Sequence, residues 1–180
     1  IAENSIITFQ YFQWNVDKSM ELRHNGALYT LSPWALSWDD ENYYLIAYDS
    51  TKGIIKHFRV DKMLHITQTG RPREGRQAFK AFDTAIYTKK MFGMYGGEEI
   101  SVRIECDNSF AGVMIDRFGK DVSIIRIDDK RFAVNVEVAV SKQFIAWIIG
   151  LGEGVKIVSP SNVVKMMNDE IDRLIRQYKQ

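Results

Sequence analysis

The chain has 180 residues, of which 46% are hydrophobic and 26% charged, and its formal net charge is +1. A chain of this size and composition buries a real core, as one domain or two small ones, and is neither disordered nor fibrous. So small a net charge excludes the whole-molecule field as a source of tight, non-specific nucleic-acid binding, and local clusters must supply any anion site.

The single cysteine, Cys106, excludes an internal disulfide framework, lacks the neighbours of a zinc site and suits a reducing, cytoplasmic setting. The most apolar stretch, residues 144–151, is far shorter than the roughly 20 residues that cross a bilayer. Ile1 stands almost inside a strand with no basic leader, so the chain reads as a piece of a longer protein.

Ile7, Phe9 and Tyr11 alternate with Thr8, Gln10 and Phe12, the period of a strand. Two short β-prone stretches follow at residues 20–24 and 27–31, and Pro33, which has no backbone donor, is expected to interrupt the ladder. Residues 34–38 and 43–48 read as a hairpin turning at 39–42, and residues 54–60 and 64–69 supply further strands. So many short, closely spaced strands favour a small barrel. Residues 70–76 are basic and rich in breakers, which predicts a linker. Phe79, Phe82 and Ile86 then share one face of a helix predicted over residues 77–94, with Gly96 and Gly97 ending it.

The remaining sequence reads as a strand over 100–106, a helix capped by Asp107 or Asn108 and stopped by Gly119, and strands at 122–127 and 132–138 joined by an Asp128-Asp129-Lys130 turn. Ser141 caps a helix running to Ile149, and a strand over 155–158 follows. This is the βαββαβ order of a ferredoxin-like domain. Ser159 as cap with Pro160 in the first turn opens a last amphipathic helix, whose apolar stripe covers its own sheet or meets a partner subunit.

Lys52, Lys56, Arg59, Lys62, Arg71, Arg73 and Arg76 fall in one stretch beside His57 and His65, with Asp61 and Glu74 as the only acids between Lys52 and Arg76. Such a run is either a solvated basic surface or a site for an anion or nucleic acid. Strand phase puts Lys56 with Ile54, Phe58 and Val60, and His57 with Ile55 and Arg59. On the more apolar face, the Lys56 ammonium must reach the barrel rim or meet an anion. Tyr43 projects with Leu45 and Ala47, and Tyr44 with Ile46 and Tyr48. With Tyr11, Trp14, Tyr29, Trp34 and Trp38, these rings either pack in the core or offer stacking platforms beside the cations.

Catalytic patterns are thin. The glycine-rich residues 150–154 follow a helix and enter a strand, the reverse of a dinucleotide loop. Cys106 ends an apolar strand as a small buried residue, and His24, His57 and His65 lack metal-ligand spacing. No catalytic residue, cofactor or metal ion is expected.

The barrel segment resembles the WYL family. Its signature here is Tyr43-Tyr44-Leu45, followed by Ile46-Ala47-Tyr48, with Pro33 before the hairpin and Lys56-His57-Phe58-Arg59-Val60-Asp61-Lys62-Met63 in the next strand. Residues 144–152, residues 155–160 and the terminal helix resemble the C-terminal extension often joined to such domains, so the resemblance spans essentially the whole chain. It implies an Sm-like or SH3-like barrel in a bacterial transcriptional regulator, usually preceded by a winged-helix DNA-binding domain that is missing here. It also implies that the barrel senses a ligand, single-stranded nucleic acid in some members, and that the extension organises a dimer. Tyr43 takes the family's Trp position, Arg59 remains Arg, and Lys56 and Lys62 stand where many members have Arg. Lysine keeps the attraction to phosphate without arginine's planar fork.

The expected fold is therefore α+β: a small barrel over 1–70, a linker and connecting helix over 71–97, and a ferredoxin-like extension with an added C-terminal helix over 98–180. The expected function is ligand sensing and oligomerisation in a soluble, non-enzymatic regulator. An anionic or nucleic-acid ligand is expected to meet Tyr11, Tyr29, Tyr43, Tyr44, Tyr48, Lys56, His57, Arg59 and Lys62. The expected partners are a second copy of the chain, single-stranded nucleic acid or a small anionic effector, and double-stranded DNA through the missing domain, with no membrane. The alternative is a structural dimerisation module without a ligand of its own.

Overall fold

Alternating apolar side chains build β1 (Ser5–Trp14), whose Ile7 and Phe9 point into a core. The computed structural model to which this strand belongs describes residues 1–80, 82–94 and 98–179, and the chain divides into two compact units, Ile1–Ala85 and Ile86–Gln180. The first unit continues with β2 (Met20–Leu22), β3 (Tyr29–Asp39), β4 (Asn42–Asp49), β5 (Ile54–Arg59) and β6 (Met63–Pro72).

These six strands form an antiparallel sheet in the order β2-β1-β3-β4-β5, with β6 also paired to β1. Bulges curl it into a half-barrel. Opposite Phe9 of β1 stand two residues of β6, His65 and Ile66, with His65 in the left-handed region at φ 53°. An extra residue of this kind bends its strand and increases the local twist. The core of the unit is Ile7, Phe9, Leu31, Leu45, Ala47, Phe58 and Met63.

Three expectations change in this unit. Pro33 does not break the ladder, because β3 runs through it and Trp34 bulges out between the Pro33–Ala47 and Ala35–Ile46 pairs, where a missing donor does no harm. The stretch expected as a strand over 20–24 ends at Leu22, and residues 23–26 form a 3-10 turn instead. Residues 70–76 are no free linker. β6 extends to Pro72, and the Arg73 N–H and Nε donate to the Asn4 carbonyl and Oδ1, each at 3.0 Å. Arg73 Nη1 donates to the Pro33 carbonyl at 2.9 Å, and its guanidinium lies 4.2 Å over the Trp34 ring. The Glu74 N–H donates to Ser32 Oγ and its carbonyl accepts from Trp34 Nε1 at 2.8 Å. The basic strap is thus fastened to the sheet by its own side chains.

The helix expected over 77–94 is reduced to α1 (Thr84–Lys90). Phe79 earns its apolar spacing by stacking on Trp34, 4.9 Å away and nearly parallel, within a run of turns over residues 76–80. Gly96, Gly97 and the Ile86 side chain lie outside the described residues.

The second unit runs β7 (Glu99–Asp107), α2 (Ala111–Phe118), β8 (Ile124–Arg126), β9 (Arg131–Ala139), α3 (Lys142–Gly150), β10 (Val155–Ser159) and α4 (Ser161–Tyr178). Its antiparallel sheet has the order β10-β7-β9-β8, so this is the β-α-β-β-α-β arrangement with α4 added. Val102 and Ile104 of β7, Val134 and Val138 of β9, and Phe144 of α3 are all fully buried in one core. Ser141 Oγ accepts from the Phe144 N–H at 3.3 Å, the expected cap. α2 stops at Gly119, φ 98°, whose N–H donates to the Ile115 carbonyl at 2.7 Å. β8 is shorter than expected because the Val122 N–H turns back to the Gly119 carbonyl. α4 begins one residue later than expected, with Pro160 as its cap, since Ser159 is held in the β10–β7 ladder opposite Arg103.

Candidate functional site

The β4–β5 register decides how the predicted site residues are distributed. Tyr44 stands opposite Arg59, Ile46 opposite His57, Ala47 opposite Lys56 and Tyr48 opposite Ile55. Lys56 and Arg59 are therefore roughly 10 Å apart along the strand and on opposite faces.

Around the end of β5 the structure gathers one group. The Arg59 backbone N–H donates to the Tyr11 hydroxyl at 3.1 Å, and its guanidinium grips Asp61 through Nε at 3.1 Å and Nη2 at 2.8 Å. The paired Arg59 holds the Asp61 carboxyl below the usual carboxylate range, and Asp61 in turn raises Arg59. Burial raises the Tyr11 phenol, outweighing the lowering effect of the Arg59 N–H bond. Tyr44 lies within electrostatic reach of Arg59, and Lys62 closes the 3-10 turn that follows β5. At the adjoining hairpin tip, Tyr43 is 57% exposed and meets Trp38, 59% exposed, edge to face at 4.7 Å.

Tyr11 and Tyr29 are members of a packed aromatic quartet with Phe9 and Phe58, in which every pair of rings lies 5.2–6.4 Å apart. Their ring faces support the core, and the Tyr11 hydroxyl reaches the rim.

The other predicted residues stand apart. Lys56 finds its anion within the chain: its Nζ lies 2.5 Å from Oδ2 of the buried Asp49. Asp49 Oδ1 accepts from the Thr51 N–H at 3.0 Å and the Thr51 hydroxyl at 2.5 Å, which fixes the β4–β5 turn. Tyr48 packs under Gly75, and His57 is half-buried at mid-strand.

Burial acts to raise the Asp49 carboxyl, but the Lys56 and Thr51 hydrogen bonds overcome it and hold the group at about 2. A carboxyl depressed on folding stabilises the fold at pH above its unfolded value, near 4, and that contribution disappears as pH falls from there through 2. The Asp49 contribution amounts to at most about 2 kcal/mol. Asp49→Asn is expected to be less stable at pH 7 and to lose part of the stability decline between pH 4 and 2. Urea denaturation across that range checks this, and identical pH dependence in both proteins would refute it.

Trp38, named from the sequence among the rings that could stack beside the cations, stands exposed at the hairpin tip. One contributor escapes a reading of the sequence: Arg23, exposed in the 3-10 turn over 23–26, reaches Tyr11 electrostatically but lies outside the basic run. Burial, with Asp107 nearby, pushes the Cys106 thiol up to about 11, which suits packing rather than reactivity. Among the described residues no group of three or more His, Cys, Asp or Glu is placed to hold a metal ion, and no helix is long and apolar enough to cross a membrane.

Comparison with known proteins assigns both units. No curated protein matches the chain. Among solved structures, proteasome accessory factor B/C (PafBC) of Arthrobacter aurescens is 19% identical with a TM-score of 0.41, over 100% of this chain and 26% of that one. A CRISPR Cas-related protein is 16% identical with a TM-score of 0.50, over 98% of this chain and 49% of that one, a likeness of fold. The chain thus spans about a quarter and about half of the two proteins it matches. The WCX domain matches residues 98–175 and the WYL domain residues 1–68. The family matched by the first unit is non-catalytic. With its half-barrel, its Tyr43-Tyr44-Leu45 hairpin and the match over the first unit, the chain is a WYL-domain-containing protein.

Proposed function

We propose that this chain is the ligand-sensing and oligomerisation region of a cytoplasmic bacterial transcriptional regulator, acting as a homodimer whose double-stranded DNA is read by a further domain. The ligand is an anion, single-stranded nucleic acid or a small phosphorylated effector. In this reading residues 1–76, the half-barrel with its fastened strap, sense, the segment from there to residue 97 connects and residues 98–180 organise the assembly.

The observation that carries the proposal is the replaceable Arg59–Asp61 pair beside exposed rings. Both partners reach solvent, and an ion pair of that kind contributes only about 0–1 kcal/mol. A phosphate can therefore displace Asp61 from a guanidinium whose backbone is already fixed by the Tyr11 hydroxyl. Tyr43 and Trp38 then offer ring surface to a base or other planar group, and Lys62, Tyr44 and Arg23 add polar and cationic contacts. Tyr29, Tyr48, Lys56 and His57 serve by shaping the sheet that presents them.

Titration of the chain with short single-stranded DNA, RNA and phosphorylated metabolites tests this. Saturable binding is expected for at least one class. Arg59→Ala should weaken it by about tenfold or more, the equivalent of one lost charge-assisted contact. No saturable binding to any of the three would overturn the sensor reading. A ligand-independent dimerisation module is the second reading, favoured by the apolar face of α4.

A further inference from the structure

α4 carries two different faces along its length. Val163, near its start, is fully buried, and Val164 and Met167 pack on the core. Beyond them Ile171, Leu174, Ile175 and Tyr178 continue the stripe at helical spacing, yet Ile171 is 41%, Ile175 46% and Tyr178 75% exposed. The helix thus outruns the core it covers and leaves two turns of apolar surface bare.

The charges beside that stripe are segregated. Asp169, Glu170 and Asp172 stand together at mid-helix, and Arg173, Arg176 and Lys179 follow. The helix dipole does not account for the acidic turn, because its influence is confined to the first and last turns. Asp169 and Glu170 are satisfied within the helix by Lys165 and Arg173. Asp172, Arg176 and Lys179 make no ion pair among the described residues. Laid antiparallel on a second copy, such a helix sets its acidic turn against the basic turn of its partner on both sides of a two-fold axis; laid parallel, it sets like against like.

We infer that the C-terminal half of α4 is a two-fold interface in which Ile171, Leu174, Ile175 and Tyr178 pack against the same residues of a second copy, antiparallel, with Asp172 facing the second copy's Arg176 and Lys179. The inference rests on the homodimer reading above and specifies its surface.

Sedimentation of the whole chain across concentration tests it, with circular dichroism to verify folding. Neither isoleucine belongs to the core of the second unit or packs against it, so Ile171→Asp with Ile175→Asp leaves that core intact. The wild type should be a dimer, and this double variant should raise its dissociation constant at least about a hundredfold. Asp172→Arg should weaken the dimer about three- to tenfold, and adding Arg176→Asp should restore it to within about twofold. A wild type that stays monomeric overturns the homodimer reading together with this interface. A dimer indifferent to the isoleucine substitutions overturns the interface alone, and one that Asp172→Arg leaves unchanged overturns the antiparallel arrangement.

Discussion

Phe9→Ala is expected to destabilise the first unit by about 3–5 kcal/mol, the usual loss for a large aromatic removed from a closed core. Phe9 is fully buried and touches all three other rings of the quartet, stacked on Tyr29 at 5.4 Å and edge-on to Phe58 at 5.2 Å. Its removal therefore opens a cavity lined by the three remaining rings, each of which loses one of its ring contacts. The functional consequence runs through Tyr11, whose hydroxyl holds the Arg59 backbone. Urea denaturation should show the lost stability, and ligand titration under conditions where the variant remains folded should show weaker binding. A loss of less than about 1 kcal/mol would mean that the quartet is not the support of the rim.

The second large effect is expected at Gly75. Its φ of 83° is strained for any L side chain, and an added Cβ would overlap the Tyr48 ring. Gly75→Ala should cost about 2–4 kcal/mol, combining left-handed strain with overpacking. The sign is informative. In a free linker the same substitution would be neutral or would stabilise by about 0.4–1 kcal/mol, through the unfolded chain. Truncating the ring as well, in Gly75→Ala with Tyr48→Ala, should give a loss smaller than the sum of the two single losses, because the clash is shared. Denaturation midpoints of the three variants decide the matter, and strict additivity would disconnect Gly75 from Tyr48.

Much of the architecture is legible in the sequence because its causes are local. Alternation places β1, β4 and β5 within a few residues of their observed limits, and the Asp128-Asp129-Lys130 turn is readable from the Asp128 carboxylate, which accepts the Lys130 N–H at 2.8 Å. The Ser141 cap and the glycine after α2 mark helix ends through contacts of three or four residues. Where an element is shaped by distant partners, the same reasoning misleads. Phe79 and Phe82 suggested one face of a long helix, but Phe79 is placed by Trp34, forty-five residues earlier in the chain.

The candidate site divides in the same way. That β5 is basic, that Lys56 and Arg59 face opposite ways, and that tyrosines run beside them are all properties of residue type and strand phase, so the sequence alone determined them. Folding settles which cation already has an anion: Asp49, held by Thr51 at a turn, pairs with Lys56, whereas Arg59 keeps a solvent-exposed partner at a rim braced by Tyr11 from another strand. Composition alone also read the strap of Arg73, Glu74 and Gly75 as a linker, until Asn4, Ser32, Pro33 and Trp34 were seen to hold it. The physical reason is that charge and periodicity reside in single residues, while exposure and pairing belong to contacts between segments that the chain brings together only on folding.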